Sequence, residues 1–454
     1  MSELKRTLSL KDAISVVAGS MIGSGIFIVS SHIARSTNSA ILLILIWLLA
    51  GFITLLGALS YGELSSTLSG EGGQYIYLKK IYSEKIAFIY GWTLFLVIQT
   101  GTLAAVNIAM AKFTGLIFPI VSDNQILFSF HNFSLSSQQI FAILVVLLIT
   151  YINSRGIRAG VFVQNIFTIT KVLSILAIIF CGLFLGFNLD TAISNFSLSN
   201  NNIHFDFQTI KTVLMSIVGA LFASITWNNV TFIASEIKKP EKNIKKALLI
   251  GTLLVISLYF LLNMIYLTNL PLELIKTAPD DIVPAQLILN IFNQKALFVV
   301  AIILIISAIG CSNGMILTGS RVYYKMAKDG IFFRRLAYIN RRTRVPENSL
   351  WLQCFWICVL ILWGNYAQLL DYVIYSSVIF YAITIFGIFK MRRKYKSVKA
   401  TYRVPSWIPI VFVVLASIVI VVLTIFKPLY TIPGFFVSLI GLPIYYWWKK
   451  TRIK

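Results

Sequence analysis

The sequence predicts an all-α integral membrane protein with twelve transmembrane helices. Of its 454 residues, 58% are apolar and 12% are charged, whereas soluble domains are about 45–50% apolar and about 25% charged. Apolar runs of about 20 residues, the length that spans a bilayer, recur along the chain. The net charge of +23 comes from basic residues that lie mostly between those runs. The composition therefore excludes a secreted protein, most soluble enzymes and a nucleic-acid binder.

Twelve apolar segments qualify as membrane spans, and we number them in chain order. Span 1 is too long for a removable signal peptide, and no small-residue cleavage site follows it. The twelve predicted spans cover residues 12–34, 40–66, 86–112, 138–153, 160–187, 210–235, 246–270, 296–320, 347–364, 369–390, 407–426 and 431–448.

The distribution of Lys and Arg orients these spans, because cytoplasmic loops carry an excess of both. With both termini inside, 32 of the 39 basic residues fall in inner loops and tails. We therefore predict cytoplasmic termini and contacts between the inner basic clusters and anionic lipid head groups. One further basic residue, Lys171, lies within span 5. The six outer basic residues are Arg35, Lys112, Lys211, Lys276, Lys295 and Lys427.

Spans 1 and 6 each contain a stretch that is poorly suited to a continuous helix. In span 1 it is the Gly- and Ser-rich stretch 19–25, and in span 6 small residues precede Asn228 and Asn229. Interrupted helices at matching positions of two halves are typical of secondary transporters with inverted repeats. A small-residue packing face, Gly19-xxx-Gly23, is the alternative interpretation for span 1.

The five-span separation of these stretches predicts a 5+5 arrangement in which helices 1 and 6 are discontinuous. We expect a single transmembrane domain over 1–454, with a first five-helix repeat at 12–187 and a second, inverted repeat at 210–390. Two additional helices would occupy 407–448. Broken helices present positive half-helix N-termini to a carboxylate and free carbonyl groups to an ammonium group, so the site suits an amino acid.

Lys171 lies within a span, so the predicted orientation of the chain in the membrane does not explain its position. A lysine at mid-membrane costs about 2.5–3.5 kcal/mol on insertion scales. A lysine that reaches the interface is the alternative, but Arg158 on the cytoplasmic side is about 20 Å away along a helix. We interpret Lys171 as a buried cation in place of a bound sodium ion, or as a proton carrier.

Other residue types give no sign of enzymatic or cofactor chemistry. The chain has three His, too few and too scattered for a metal site, and its Gly-rich stretches lie in apolar spans where a phosphate loop does not fit. All four cysteines, Cys181, Cys311, Cys354 and Cys358, fall in predicted spans, where packing is the expected role. We predict no metal, no cofactor and no enzyme activity.

Several motifs, in order along nearly the whole chain, resemble the amino acid–polyamine–organocation superfamily, and most closely its L-type amino acid transporter branch with bacterial homologues. The span-1 segment GSMIGSGIF (19–27) is similar to the signature of that family. The other matching segments are YGELSSTLSGEGGQYIYLKKIY (61–82), QNIFTITK (164–171), FASITWNN (222–229), SEIKKPEKNIKKA (235–247), SNGMILTGSRVYYKMAKDG (312–330) and GLPIYYWW (441–448).

The resemblance implies a leucine-transporter-like fold, alternating access and a set of site residues. Phe222 matches an aromatic outer gate, Lys171 the lysine at the sodium position, and Tyr259 a tyrosine that reaches toward that lysine. The resemblance implies a multi-pass protein of the cytoplasmic membrane. The implied substrate-binding residues are Ile22, Gly23, Ser24, Gly25, Ile26, Phe222, Ala223, Ser224, Thr226 and Asn228, and the implied coupling and gating residues are Lys171, Phe222 and Tyr259.

The sequence departs from the family pattern in two places, one within the implied site and one that concerns partner subunits. Ile225 and Thr226 stand where the family commonly has glycines before the Trp, so the break in span 6 is expected to be tighter. Residues 113–137 contain no Cys, so no disulfide-linked heavy subunit is expected and a monomer is predicted.

The predicted function is secondary active transport of small or large neutral L-amino acids, as an exchanger or a proton-coupled symporter. The pocket-lining stretches hold no acidic residue at the midplane, and a cationic substrate would favour a carboxylate there. The alternative is a cationic amino acid or polyamine permease. A sensor without transport is disfavoured, because no large soluble output domain is present.

Overall fold

The computed structural model describes residues 4–130, 133–197, 201, 206–292, 297–363, 366–396 and 402–452. The predicted start of span 8 at residue 296 lies outside the described residues, as do the basic residues Lys295, Lys399 and Lys454.

The described chain is almost entirely helical, and its helices follow the predicted spans. The helices of the first half are α1 (Leu10–Met21), α2 (Gly25–Thr37), α3 (Ala40–Thr67), α4 (Gln74–Ile81), α5 (Glu84–Thr93), α6 (Gln99–Gly115), α7 (Ser137–Ser154), α8 (Ile157–Phe184) and α9 (Leu189–Phe196). Span 1 consists of α1 and α2, and span 3 consists of α5, a π-helical turn at Leu94–Ile98, and α6.

Span 6 opens the second half and is also divided. It consists of α10 (Phe207–Ser224) followed by a 3₁₀ helix (Trp227–Glu236). The remaining helices are α11 (Pro240–Asn269), α12 (Leu272–Lys276), α13 (Val283–Ile291), α14 (Leu297–Lys328), α15 (Glu347–Trp363), α16 (Tyr366–Lys394), α17 (Trp407–Phe426) and α18 (Pro428–Arg452), with short 3₁₀ turns at Pro279–Asp281 and Arg334–Ala337.

Ten helical segments within the described residues are long and apolar enough to cross a membrane. The predicted span 9 is a shorter apolar helix, Glu347–Trp363, and the predicted span 12 corresponds to α18, which is not among the ten. The structure therefore shows a multi-pass helical membrane protein with about ten candidate spans among the described residues, and the full set of twelve stays a prediction. The inverted 5+5 arrangement stays a prediction.

A small hairpin departs from the purely helical prediction. Strands β1 (Ile126–Phe130) and β2 (Phe133–Ser136) pair antiparallel between spans 3 and 4. These segments are rich in aromatic and apolar residues broken by serines, a pattern that favours strands over a plain loop.

Both breaks lie close to the predicted positions but are shorter than the predicted stretches. In span 1, Gly19 and Ser20 remain helical, and α1 ends at Met21. Gly19 stays in the helix because it lies directly against Gln164 and Thr168 of span 5, so the packing interpretation holds for this glycine.

Span 1 lies at the centre of the bundle, whereas span 5 lies at its edge. In the most apolar window of span 1, 83% of residues are buried, compared with 28% in span 5. Span 5 exposes large apolar side chains at helical spacing, among them Phe162, Ile166, Ile169 and Leu173, which suits contact with lipid. Its opposite face is buried against span 1 and carries Lys171.

Two ion pairs lie at the inner end of the bundle, by which we mean the end predicted to face the cytoplasm. Arg321 of span 8 contacts Glu236 at 3.0 Å, with both side chains 1% exposed. Arg392 of span 10 contacts Glu63 at 2.7 Å. Glu236 and Glu63 therefore form structural pairs with basic residues of the inner end.

Candidate functional site

The ammonium group of Lys171 binds the backbone at the break of span 1. Its Nζ donates to the carbonyl oxygens of Gly19 at 2.6 Å, Ile22 at 2.7 Å and Ser307 at 3.2 Å. The side chain is fully buried, so it does not reach the interface. Because the lysine projects from span 5, it joins span 1 to spans 5 and 8 at one point.

Other side chains bind the neighbouring carbonyl group of span 1. The Ser20 carbonyl oxygen accepts hydrogen bonds from Thr226 Oγ1 at 2.9 Å and from Cys311 Sγ at 2.9 Å. The Ser307 hydroxyl lies 3.3 Å from the carbonyl oxygens of both Ile22 and Gly23. The backbone acceptors exposed by the break are thus satisfied by side chains.

Tyr259 of span 7 lies between the two breaks. Its hydroxyl is 3.1 Å from the carbonyl oxygen of Met21 in span 1 and 3.1 Å from that of Ala223 in span 6. The resemblance implied a tyrosine directed toward the lysine. The hydrogen bonds place the Tyr259 hydroxyl on the two backbones instead.

The N-terminus of α2 lies deep in the protein and lacks a cap. Its N-cap residue Ser24 makes no capping hydrogen bond. The Ser24 hydroxyl is buried and has no hydrogen-bond partner within the described chain. The N–H groups of Gly25 and Ile26 have no acceptor inside their own helix, whereas that of Phe27 bonds to the Ser24 carbonyl oxygen at 3.1 Å. A buried donor set of this kind suits an anion.

The first half of span 6 packs directly against this N-terminus. A Cβ atom added to Gly25 would lie 2.8 Å from Ala223 Cβ, so only glycine allows this approach. Helix α10 ends at Ser224, and its last carbonyl groups have no partner further along the helix. Donors at α2 and acceptors at α10 therefore lie side by side.

Phe222 lies at the bottom of an outer vestibule. The vestibule has a volume of about 1870 Å³, and Val29, Ile108, Gly219 and Phe222 contribute to its lining. Only 6% of Phe222 is exposed. Phe222 thus lines the vestibule directly before Ala223 at the break of span 6, and its role as an outer gate stays a prediction.

Charged pairs surround the outer mouth of this vestibule. Arg35 contacts Asp281 at 2.6 Å, and Lys112 contacts Asp280 at 3.1 Å. Burial raises the pKa of Asp281, but the hydrogen bond from Arg35 and the nearby positive charges outweigh it, so the net pKa is lowered. Both carboxylates are paired with basic side chains, and the lowered pKa keeps the Asp281 carboxylate ionised at neutral pH.

Asn228 lies on the inner side of the break in span 6, and both its amide nitrogen and its amide oxygen form hydrogen bonds. Its Nδ2 donates to Gln74 Oε1 at 3.0 Å, and its Oδ1 accepts from the Tyr381 hydroxyl at 2.9 Å. Gln74 in turn donates to Thr384 of span 10 at 3.0 Å. We call Gln74, Asn228 and Tyr381 the inner polar layer.

The structure brings together most of the residues predicted for the site. Gly25 packs against Ala223, and Thr226 binds the Ser20 carbonyl oxygen. Lys171 binds the Ile22 carbonyl oxygen and Tyr259 that of Met21. The Ser224 hydroxyl instead bonds within its own helix, to Ala220, and Asn228 belongs to the inner polar layer. Sequence reasoning missed Gln74, Ser307 and Tyr381, and assigned Cys311 to packing alone. The available signal for Ser307 and Tyr381 was a polar atom within an apolar span.

Comparison with known proteins identifies the family of this chain. A family model described as amino acid permease matches residues 8–445. The chain is similar to the b(0,+)-type amino acid transporter 1 of Homo sapiens, with 27% identity over 432 residues that cover 94% of this chain and 84% of the relative. The same protein of Mus musculus is 26% identical over 431 residues, with the same coverage of both chains.

A second kind of relative matches over even more of this chain. The large neutral amino acids transporter small subunit 2 of Homo sapiens is 27% identical over 460 residues, covering 99% of this chain and 82% of the relative. The family match spans most of the chain and both breaks. This chain therefore belongs to the amino acid permease family of the amino acid–polyamine–organocation superfamily, and it is an amino acid transporter rather than an enzyme.

Proposed function

We propose that this protein is a secondary active transporter of neutral L-amino acids that works by alternating access. The observation that carries the proposal is the pairing of an uncapped helix N-terminus in span 1 with a helix C-terminus in span 6. The amino acid would bind between them, near the middle of the membrane.

The carboxylate of the substrate belongs at the N-terminus of α2. The helix dipole and the free N–H groups favour a negative charge there. The Ser24 hydroxyl adds a donor that has no partner among the described residues. A bound carboxylate would satisfy all of these donors at once.

The ammonium group of the substrate belongs at the C-terminus of α10. The carbonyl groups of the last turn carry partial negative charge. The Phe222 carbonyl already accepts from the Ile225 N–H and the Ala223 carbonyl from Tyr259, so we assign the ammonium to the other carbonyl groups of this turn. The distance between the two helix ends is short enough for one amino acid, because Gly25 contacts Ala223 directly.

The side-chain preference is proposed to be neutral. Spans 1 and 6 contain no Asp or Glu between residues 13 and 34 or between 210 and 235. The nearby buried glutamates, Glu63 and Glu236, are already paired with arginines. The name of the relatives called large neutral amino acids transporter small subunit 2 points the same way.

Lys171 supports a mechanism without sodium. Its ammonium occupies a position with three carbonyl oxygens as ligands, which a sodium ion would otherwise require. The transporter would therefore run either as an exchanger or as a proton-coupled symporter. Phe222 would close the outer side, and the inner polar layer would close the inner side.

We also propose that the chain acts as a monomer in the cytoplasmic membrane, with both termini inside. The support is the charge distribution of its loops and the placement of its four cysteines within spans.

Uptake into proteoliposomes tests the function. Purified protein should take up labelled alanine or leucine faster into vesicles preloaded with unlabelled amino acid if it is an exchanger. A symporter should instead respond to an inward proton gradient. Competition by alanine but not by lysine or putrescine is expected, and the reverse result would favour the cationic alternative. Folded protein that moves no amino acid under either condition would refute the proposal.

A further inference from the structure

Thr226 combines a rare backbone conformation with a hydrogen bond between the two breaks. Its φ is 77° and its ψ is 0°, in the left-handed region. A β-branched residue rarely adopts this conformation, whereas glycine would do so without strain. The other non-glycine residues with positive φ among the described residues are Asn38, Lys239, Asp280, Asp281 and Arg344, none of them β-branched.

The hydroxyl of Thr226 gives this residue a contact that glycine cannot make. It donates to the Ser20 carbonyl oxygen at 2.9 Å, and only 6% of the residue is exposed. The Thr226 carbonyl oxygen accepts from the N–H of Asn229 at 3.0 Å and so begins the 3₁₀ helix. One residue thus shapes the turn of span 6 and binds the last turn of α1.

We infer that Thr226 is a positioning residue that ties the break of span 6 to the break of span 1 and thereby sets the affinity for the amino acid. The inference rests on the proposed function and deepens it. Tyr259 supplies one link, between the Met21 and Ala223 carbonyl groups. Thr226 supplies a second, and two links fix both the distance and the relative rotation of the broken segments.

The consequence for the substrate follows from where its two charged groups bind. Its carboxylate would contact the N-terminus of α2 and its ammonium the C-terminus of α10, so it must bridge the two spans. A site held in the binding geometry loses less entropy when the ligand binds. Loss of the Thr226 link therefore weakens binding more than it slows the movement of the loaded protein.

Three substitutions distinguish the effect of losing the Thr226 hydroxyl from the effect of its strained backbone. Thr226→Val keeps the β-branched shape and removes the hydroxyl, Thr226→Ser keeps the hydroxyl, and Thr226→Gly removes both the hydroxyl and the strain. Thr54→Val is the matched control, since the buried Thr54 hydroxyl donates only within its own helix, to Ala50.

The measurement is exchange of labelled neutral amino acid in proteoliposomes, normalised to folded protein. The Val and Gly variants should raise KM about 5–10-fold, the scale of one lost hydrogen bond, with the maximal rate changed less than about 2-fold. Thr226→Ser and Thr54→Val should stay within about 2-fold of the wild-type KM.

Two results would overturn the assignment. One is a wild-type KM in Thr226→Val or Thr226→Gly, and the other is a Thr226→Ser variant as impaired as the Val variant. If the Val variant does not fold, the KM values of the Ser and Gly variants test the role of Thr226, because glycine accepts the backbone conformation. A wild-type protein that moves no amino acid, either by exchange or with a proton gradient, refutes the proposed function itself. An active wild type whose Thr226 variants all keep the wild-type KM refutes only the role of Thr226.

Discussion

Lys171 is a buried cation whose hydrogen-bond partners are backbone carbonyl groups. Burial of an unpaired charge is strongly unfavourable, and three short hydrogen bonds offset that cost here. The arrangement also satisfies two carbonyl groups of span 1 that its break would leave free. A single side chain thereby stabilises the non-helical backbone on which the proposed site depends.

Replacement of this lysine by methionine should abolish most transport. Lys171→Met keeps the length and apolar stem but removes the charge and all three hydrogen bonds, each worth about 1.5–3 kcal/mol. Exchange in proteoliposomes should fall at least about 100-fold. The exposed Lys242→Met is the control, and its exchange should match the wild type. Wild-type flux in the Lys171 variant would refute its role.

The Ser24 hydroxyl should contribute directly to substrate affinity. Because this buried hydroxyl has no partner within the described chain, a bound carboxylate would be its acceptor. A hydrogen bond to a charged group is worth about 1.5–3 kcal/mol, so Ser24→Ala should raise KM about tenfold or more. The control is Ser36→Ala, whose exposed hydroxyl bonds to His32. An unchanged KM for Ser24→Ala would remove this residue from the site.

The sequence predicts the important residues better than it predicts their contacts. Lys171 is conspicuous because a charge within an apolar span is costly. Its three acceptors lie on spans 1 and 8, far away in the sequence, and no local pattern identifies them. For the same reason, the sequence does not identify the acceptors of Tyr259, which depend on how three spans pack.

At the scale of elements, the two breaks arise from different local causes. Gly and Ser residues mark the break of span 1 because they are weak helix formers. The break of span 6 falls at Ile225 and Thr226, two β-branched residues that do not signal a left-handed turn. Contacts with span 1 determine it, so the sequence could locate it only by its similarity to span 1 and to the family.

The buried pair between spans 6 and 8 should dominate stability at the inner end. Glu236→Gln leaves Arg321 without a counter-charge at 1% exposure, and such losses cost about 3–5 kcal/mol. We expect a large drop in the melting temperature of the detergent-purified protein. Glu84→Gln, which breaks a half-exposed pair with Lys79, should cost less than about 1 kcal/mol. Equal melting temperatures for the two variants would contradict this difference.

A second inner cluster should make stability depend on acid pH. Burial raises the pKa of Asp329, but hydrogen bonds from Lys325, Lys79 and Tyr75 outweigh it, so the pKa lies below 3.8. A carboxyl group with a lowered folded-state pKa stabilises the protein above its unfolded pKa, and that stabilisation is lost as the pH falls through the folded value.

The test of this cluster compares the wild type with Asp329→Asn across pH. The wild type should melt at a higher temperature by a constant margin between about pH 6 and pH 8, where the carboxylate is ionised in both states. The margin should shrink as the pH falls below 3.8. A margin that grows toward acid pH would reverse the sign and contradict the account.

At the scale of the whole molecule, composition and charge distribution predict the class, and packing decides the details. Long apolar runs predict a multi-pass helical membrane protein, which the structure and the family match confirm. The number of spans is matched less closely: within the described residues, predicted span 9 is the short helix Glu347–Trp363, and α18 is not among the ten candidate spans. The hairpin between spans 3 and 4 is not predicted from the sequence, because its strands are short.

The central claim is that the two breaks together bind the zwitterionic part of an amino acid. Competition for exchange by three compounds tests it most directly: the transported amino acid, its amide and its N-acetyl derivative. The amide lacks the carboxylate, and the acetylated compound lacks the ammonium group. Only the intact amino acid should compete strongly, because each helix end requires its own charge. Equal competition by the amide or by the acetylated compound would contradict the claim.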